Sequence, residues 1–290
     1  MSTAPEGRLL VAVPSKGRMA PPALELLAAA GLRFEAGERA LHVPCRNAPV
    51  DLLLVRPHDI PEYVQDGVVH LGITGANLVA EAEADVVRLA DLGFARCTLE
   101  AAVPVASPQH VVADLAGLRI ATAYPVSTRA ALVEAGVEAE LIPVSGSVEA
   151  APRLGLSEAV VDLVSTGSTA SANGLRRIGS LLSSEAVLIA NREAVETRRE
   201  LVDRLQLMLE GVVAARNRRY LMLNAAETDL PAIRAILPGM GAPSVLPLAE
   251  PGQIAVHAAV EVDDIWELLP LLKSAGATSI LVVPVERLVP

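Results

Sequence analysis

The sequence predicts an α/β fold in two lobes followed by a small βαββαβ domain, and three observations predict it. Short apolar runs that stop at Gly, Ser, Thr or Pro alternate with helix-like stretches, the rhythm of buried strands joined by helices. That rhythm starts afresh near Thr98, so a second lobe begins there. From Tyr220 the order becomes strand, helix, strand, strand, helix, strand, which is the split, ferredoxin-like arrangement.

Residues 9–13 (LLVAV) read as the first strand and residues 21–30 (PPALELLAAA) as a helix, which Gly31 stops by supplying the left-handed residue at C′. Residues 50–55 form a second buried strand, 59–65 a short helix, 69–74 a third strand and 76–84 a helix. Beyond Thr98, residues 101–105, 119–122, 140–144 and 160–164 are strand-like, with helical patterns between them. Residues 186–190 make one more strand and 193–218 one long helix. Because both follow the second lobe, the chain is expected to cross back and complete the first. The expected division is residues 1–96 with 186–215 as lobe I, 97–185 as lobe II and 216–290 as the terminal domain. In that domain the strands are 220–223, 244–248, 254–262 and 279–283, the helices 230–237 and 265–275. Asp263 is placed to cap the second helix and Gly276 to end it.

A length of 290 residues suits roughly two domains, and the net charge is −10. An acidic chain without a basic tail is no nonspecific nucleic-acid binder, because neutralising phosphates takes clustered Lys and Arg. Any polyanion must therefore meet a local site. Aromatics at 2% argue against a stacked-base platform and leave aliphatic side chains to fill the core. Cys45 and Cys97 are too far apart for a Cys-x-x-Cys motif, which makes them buried, reduced thiols rather than a zinc site or a disulfide framework. The polar start lacks a secretory leader, and no apolar run reaches the ~18 residues of a membrane span, so the expected setting is the cytoplasm, away from membranes.

The chemistry concentrates in residues 149–169, EAAPRLGLSEAVVDLVSTGST. An apolar strand carries Asp162 in its second half and then delivers Ser165, Thr166, Gly167, Ser168 and Thr169 into a turn ahead of a helix-like segment. Strand carboxyl ends are where open α/β sheets bind ligands. Hydroxyls and backbone N–H groups at a helix start suit a phosphate, with Gly167 permitting close backbone approach. Asp162 is suited to orienting ribose hydroxyls or a magnesium ion that keeps its water and phosphate ligands. The competing reading is an ordinary Ser/Thr-rich turn with an N-cap.

A cationic set stands apart from the acidic background: Lys16 and Arg18 in PSKGR, Arg46 in PCRNAPVDL and Arg56 in LLLVRPHDIP. Three of them lie at or just past strand ends, and the four together are read as converging on a polyphosphate rather than as surface ion pairs. Thr74, Gly75 and Asn77 in LGITGAN end another strand and are placed to line the same cleft, or to serve only as a strand-to-helix connection. Other chemistries find no support. The histidines lack HExxH spacing, no G-x-S-x-G elbow occurs, and PSKGRM is not a Walker A loop.

These residues resemble a known family, the ATP phosphoribosyltransferases of histidine biosynthesis. The family signature E-x5-G-x-S-x2-V-x-D-L-x2-T-G-x-T is carried by Glu149, Gly155, Ser157, Val160, Asp162, Leu163, Thr166, Gly167 and Thr169, and Ala170 departs from it where the family has Leu or Met. PSKGR, VRPHDIPEYVQDG and LGITG follow the family's first domain in the same order, so the resemblance spans essentially the whole chain. With its βαββαβ tail the chain is similar to the long, self-contained form.

The resemblance implies two lobes like those of type II periplasmic binding proteins, closing on ATP and phosphoribosyl pyrophosphate. Adenine N1 attacks C1 of the ribose and pyrophosphate leaves, with Mg2+ as cofactor. Thr166 to Thr169 and Ser165 would hold the 5-phosphate and Asp162 the ribose. Lys16, Arg18, Arg46, Arg56, Thr74, Gly75 and Asn77 would serve the pyrophosphate or ATP, with Asp162, Lys16 and Arg18 closest to the chemistry. Orientation and electrostatics would carry the catalysis without a protein nucleophile. The tail would bind histidine as a feedback inhibitor around residues 238–247, with Ser244 and, more weakly, Asn224 in contact. AMP is a further expected effector, and a homo-oligomer, dimer or hexamer, the expected assembly. The rival from another class is a noncatalytic binding protein with the same two lobes. A transferase for another base would carry two adjacent acids before the loop, whereas Leu163 follows Asp162 here.

Overall fold

The computed structural model describes residues 7–35, 37, 40–164, 173–237 and 243–289. It divides into two compact units, Met1–Gln206 and Leu207–Pro290. The first unit begins with β1 (Leu9–Pro14), α1 (Ala20–Ala29), β2 (His42–Pro44), β3 (Val50–Val55), α2 (Ile60–Gln65), β4 (Leu71–Gly75), α3 (Ala76–Glu81) and β5 (Val87–Asp91). It continues through β6 (Cys97–Pro104), β7 (Arg119–Thr122), α4 (Pro125–Glu134), β8 (Glu140–Pro143), β9 (Ala159–Val164) and β10 (Leu175–Ser184). Then come β11 (Ala186–Ala190), α5 (Arg192–Thr197) and α6 (Arg199–Arg216), and the unit boundary falls within α6.

Two sheets share these strands. In lobe I the order is β2-β3-β1-β4-β11-β5, with β1 parallel to β3 and β4, and β11 antiparallel to both β4 and β5. In lobe II the order is β10-β6-β9-β7-β8, with β7 parallel to β8 and β9, and β6 antiparallel to β9 and β10. Each sheet therefore has three parallel strands, then one antiparallel strand next to a crossing between lobes, then an outer strand, and lobe I adds the short antiparallel β2 at its other edge. That is the topology of the type II periplasmic-binding-protein lobe.

The apolar runs explain the centre of each sheet. Every residue of β1, β4 and β11 is buried, as strands covered on both faces require. On one face Leu10, Ala12, Val187 and Ile189 pack with Ile60 and Val64 of α2. Gly72 of β4 lets α2 lie this close, because a Cβ there would run into the Ile60 and Val64 methyls. In lobe II, Leu99, Ala101, Ile120 and Val161 form one core and Ala102, Ala121, Val160 and Leu175 the other. Gly31 takes φ of 94° directly after α1, the left-handed stop expected of it.

Several elements differ from the sequence reading. Strands β2, β5 and β10 were not anticipated: β10 is a long outer strand with two register shifts and repeated polar residues, which hide its period. The helix expected over 193–218 is two helices broken at Arg198, whose φ of −125° leaves the helical region. Asn191 caps the first, accepting the Ala194 N–H at 3.2 Å. The helix expected over 76–84 ends at Glu81.

The second unit consists of β12 (Arg218–Ala226), α7 (Leu230–Ile236), β13 (Ser244–Pro247), β14 (Gln253–Glu261), α8 (Ile265–Ser274) and β15 (Thr278–Pro284). Its antiparallel sheet runs β13-β14-β12-β15, the ferredoxin-like order. Leu221, Leu223, Val256 and Val260 pack against Ile233, Leu268 and Leu272 of the helices on one face. α8 starts after Asp264 rather than Asp263, without a side-chain capping bond, and Gly276 ends it with φ of 93°. Among the described residues no helix is long and apolar enough to cross a membrane.

One buried polar group holds the amino end of lobe I. His70 lies just before β4, and its Nδ1 accepts the Leu10 N–H at 2.8 Å while its own N–H donates to the Leu10 carbonyl at 2.9 Å. Burial, with a smaller contribution from Arg198, pulls its pKa down to about 4. An unfolded histidine titrates near 6.5, so between these values the unfolded chain binds the extra proton. Stability is full above about pH 6.5 and falls as pH drops toward 4, a loss of about 3 kcal/mol. His70→Asn keeps an acceptor oxygen that does not ionise. Urea unfolding across this range is expected to show a shallower decline for the variant than for the wild-type chain.

Candidate functional site

The carboxyl ends of the parallel strands assemble the site. In lobe I, β1 and β3 end side by side, Pro14 level with Val55, and the Ser15 N–H donates to the Val55 carbonyl at 2.7 Å. The exposed Lys16 and Arg18 follow β1, and the exposed Arg56 follows β3, so these three cations share one edge. Arg46 does not join them. It precedes β3, at the amino end of the sheet, roughly 16 Å of strand away from Arg56, and its guanidinium pairs with Glu35 at 2.8 Å. The four-cation convergence thus becomes a convergence of three.

Thr74 and Asn77 are placed at the cleft but turned inward. Thr74 is fully buried, and its hydroxyl donates to the Pro57 carbonyl at 3.0 Å, which fixes the turn immediately after Arg56. Asn77 is buried too. Its N–H donates to Ser184 Oγ at 2.9 Å, and that hydroxyl donates back to Asn77 Oδ1 at 2.9 Å. Through these bonds both residues brace the wall. Gly75 is required between them, since a Cβ there would strike Asn77 Oδ1.

In lobe II, Asp162 stands on β9 opposite Glu100 of β6. With Glu149 and Arg177 they line a cavity of about 240 Å³ that reaches Val164 at the end of the strand. Glu100 is buried and ion-paired with Arg177. The Asp162 carboxyl accepts the Leu163 N–H at 2.8 Å, yet burial first and the Glu149 charge second push its pKa up. Tyr124, just before α4, has its phenol pKa raised by burial and then by Asp162, while Arg18 of lobe I pulls the other way. Tyr124 is therefore within electrostatic reach of Asp162 in its own lobe and of Arg18 in lobe I. A second cavity of about 410 Å³ lies by the crossings, lined by Thr98, Val164, Ser183 and Ser184 among others.

Ser165, Thr166, Gly167, Ser168 and Thr169 lie outside the described residues, as do residues 238–242 of the tail. In the tail, Ser244 is level with His257, and Asn224 with Ala255, so both stand on the sheet face opposite the helices. They are two strands and two residues apart, about 12 Å between backbones. On the same face Tyr220 Oη and His257 Nδ1 are 3.2 Å apart. Tyr124, Glu81, Glu100 and Ser184 escaped the sequence reading because each matters through a partner remote in the chain.

The fold defines a two-lobed α/β protein whose parallel strands end at a cleft, followed in the chain by a ferredoxin-like domain. The family model described as ATP phosphoribosyltransferase matches residues 56–211, and that for the HisG C-terminal domain matches residues 215–287. The chain is 43% identical to the ATP phosphoribosyltransferase of Maricaulis maris over 97% of its length and 98% of that protein. It is 40% identical to the enzyme of Methanosarcina barkeri over 97% and 99%. Among solved structures, a chain of the ATP phosphoribosyl transferase (HisG:HisZ) complex from Thermotoga maritima matches with a TM-score of 0.59 and 27% identity, over 70% of this chain and 98% of that one. The chain belongs to the ATP phosphoribosyltransferase family of histidine biosynthesis, in its long form with the C-terminal domain.

The Gly75 geometry generates a prediction. Gly75→Ala displaces the Asn77 carboxamide from Ser184, and urea unfolding is expected to show a loss of roughly 1–3 kcal/mol, the cost of an overpacked contact and a broken buried hydrogen bond. Asn77→Ala is expected to lose a similar amount, and the double variant little more, because both act on the same bond.

Proposed function

We propose that the cleft transfers the phosphoribosyl group of phosphoribosyl pyrophosphate to N1 of the adenine of ATP. The bond from ribose C1 to pyrophosphate breaks, the bond from C1 to N1 forms, and positive charge builds on the ribose between the two events. The observation that carries this reading is the cavity lined by Asp162 and Glu149, which reaches Val164, the residue immediately before the Ser165 to Thr169 run, with Tyr124 feeling the charges of both Asp162 and Arg18. In the division of labour, residues 1–96 with 186–215 form lobe I, 97–185 lobe II and 216–290 the regulatory domain.

Thr166 to Thr169, with Ser165, hold the 5-phosphate through hydroxyl and backbone donors. Asp162 orients the ribose hydroxyls and, as an anion, favours the charge developing on C1. Lys16, Arg18 and Arg56 receive the pyrophosphate or the ATP phosphates, while Gly75 is buried against Asn77 and supports the wall behind them. The Tyr124 phenol, held protonated, donates a hydrogen bond and offers an apolar ring to the adenine. Both substrates are held at once, so orientation supplies much of the rate.

The residues fit a magnesium ion carried mainly by substrate phosphates. Asp162 and Glu149 offer hard oxygen donors, and among the described residues no group of three metal-ligating side chains occurs that would make a protein cage. Bound with the substrate phosphates beside these carboxylates, Mg2+ would supply positive charge for the pyrophosphate. The setting is the cytoplasm, and the assembly a homo-oligomer, a dimer or hexamer. Histidine acts on the tail, with Ser244 and, more weakly, Asn224 in contact. AMP, which shares the adenine and a phosphate, competes for the cleft.

Asp162→Ala and Thr169→Ala are expected to lower kcat/KM by roughly a hundredfold or more, as removal of a transition-state contact does, with histidine binding by calorimetry unchanged. Arg46→Ala is expected to stay within about threefold of wild type, whereas Arg18→Ala is expected to fall by at least tenfold. Full activity in Asp162→Ala would remove the β9 cavity from the mechanism.

A further inference from the structure

We infer that Glu81 is a positioning residue that latches lobe I onto lobe II when the cleft is closed; the inference rests on the two-lobed transfer mechanism proposed above. α4 of lobe II begins with Pro125, has no acidic residue in its first turn and receives no side-chain cap from its own N-cap Tyr124. Its Val126 N–H donates to Glu81 Oε1 at 3.0 Å and its Ser127 N–H donates to Glu81 Oε2 at 2.9 Å. The positive end of a lobe II helix is therefore capped by a carboxylate that belongs to lobe I, a charge-assisted contact of favourable sign.

The other end of α3 is tied to the same lobe. Asn77 and Glu81 are four residues apart and lie on one face of the helix. Asn77 exchanges two hydrogen bonds with Ser184, the last residue of β10. Ser184 immediately precedes the crossing into β11, so this contact sits by the hinge and changes little when the lobes rotate. Glu81 is one helical turn further along α3 and meets α4 instead of the crossing strands, so its contact is the one that parts on opening. Opening exposes two helix-end amides and one carboxylate to water; closing pairs them. The latch also fixes Tyr124, the residue before α4, whose phenol feels Glu81, Asp162 and Arg18 together. It thereby sets the register of the lobe I cations against the lobe II carboxylates.

The test compares wild type, Glu81→Gln and Glu81→Ala in two measurements. Hydrogen exchange on the ligand-free full chain reads the amides of Val126 and Ser127. Initial rates read kcat and both KM values with magnesium, ATP and phosphoribosyl pyrophosphate. In Glu81→Ala the two amides are expected to exchange about tenfold faster while β1 and β9 are unchanged, and kcat is expected to fall about tenfold with each KM within about threefold. Glu81→Gln, which keeps one acceptor oxygen without the charge, is expected between wild type and Ala. Unchanged exchange at Val126 and Ser127 would overturn the latch. So would faster exchange throughout the unit, which marks general destabilisation, or faster exchange at the two amides with unchanged kcat, which marks a helix cap alone. Because the exchange measurement needs no turnover, failure of the transferase reading would show as an inactive wild type and remain distinguishable from failure of the latch.

Discussion

The antiparallel strand inserted into each sheet is the constraint from which the rest of the first unit follows. β11 bonds to both β4 and β5, so lobe I is completed only after the chain has built lobe II and returned. β6 does the reciprocal work in lobe II, between β9 and β10. Two crossings side by side make a hinge, and the parallel strands β1, β3, β4 on one side and β7, β8, β9 on the other end at the cleft. Strand carboxyl ends are where a sheet leaves its loops and helix starts free for ligands. A binding site between the lobes is therefore a consequence of connectivity before any particular side chain is considered.

Charge then divides the labour. The chain is acidic overall, yet Lys16, Arg18 and Arg56 gather on the lobe I edge while Asp162, Glu149 and Glu100 gather in lobe II, with Arg177 compensating Glu100. A reaction that separates a cationic ribose from an anionic pyrophosphate suits such a division, since each fragment meets the opposite charge without rearrangement of the protein. The ties along α3 concern a different quantity, the fraction of time the two charged surfaces face each other. Buried groups such as Thr74, Asn77 and His70 serve both by fixing strand ends through hydrogen bonds that have no water to replace them.

Strands covered on both faces were legible in the sequence because unbroken apolar runs have few other fates: β1, β3, β4, β9 and β11 were read close to their observed limits. β5 and β10 were not, since an outer strand needs one covered face at most and polar residues interrupt its alternation. The break at Arg198 carries no Pro or Gly to announce it. Of the candidate site residues, the strand positions of Asp162, Lys16, Arg18 and Arg56 were legible, whereas Arg46 lies at the opposite end of β3 from Arg56. Its spacing held the answer, since Arg46 precedes and Arg56 follows the same strand, and a strand's two ends cannot serve one cleft. Thr74 and Asn77 have the composition of ligand groups and the burial of structural ones, a distinction that depends on Pro57 and Ser184 far along the chain. The pairing of Glu81 with the start of α4 is of the same kind.

The central claim is that this cleft joins two substrates and releases pyrophosphate. The most direct test is pyrophosphate release by the purified full chain with magnesium, ATP and phosphoribosyl pyrophosphate, each substrate omitted in turn. Release that requires both substrates, with phosphoribosyl-ATP formed in equal amount, is the predicted result. Release with either substrate alone, or none from a folded chain that binds both, would contradict it and leave a two-lobed protein that only clamps its ligands.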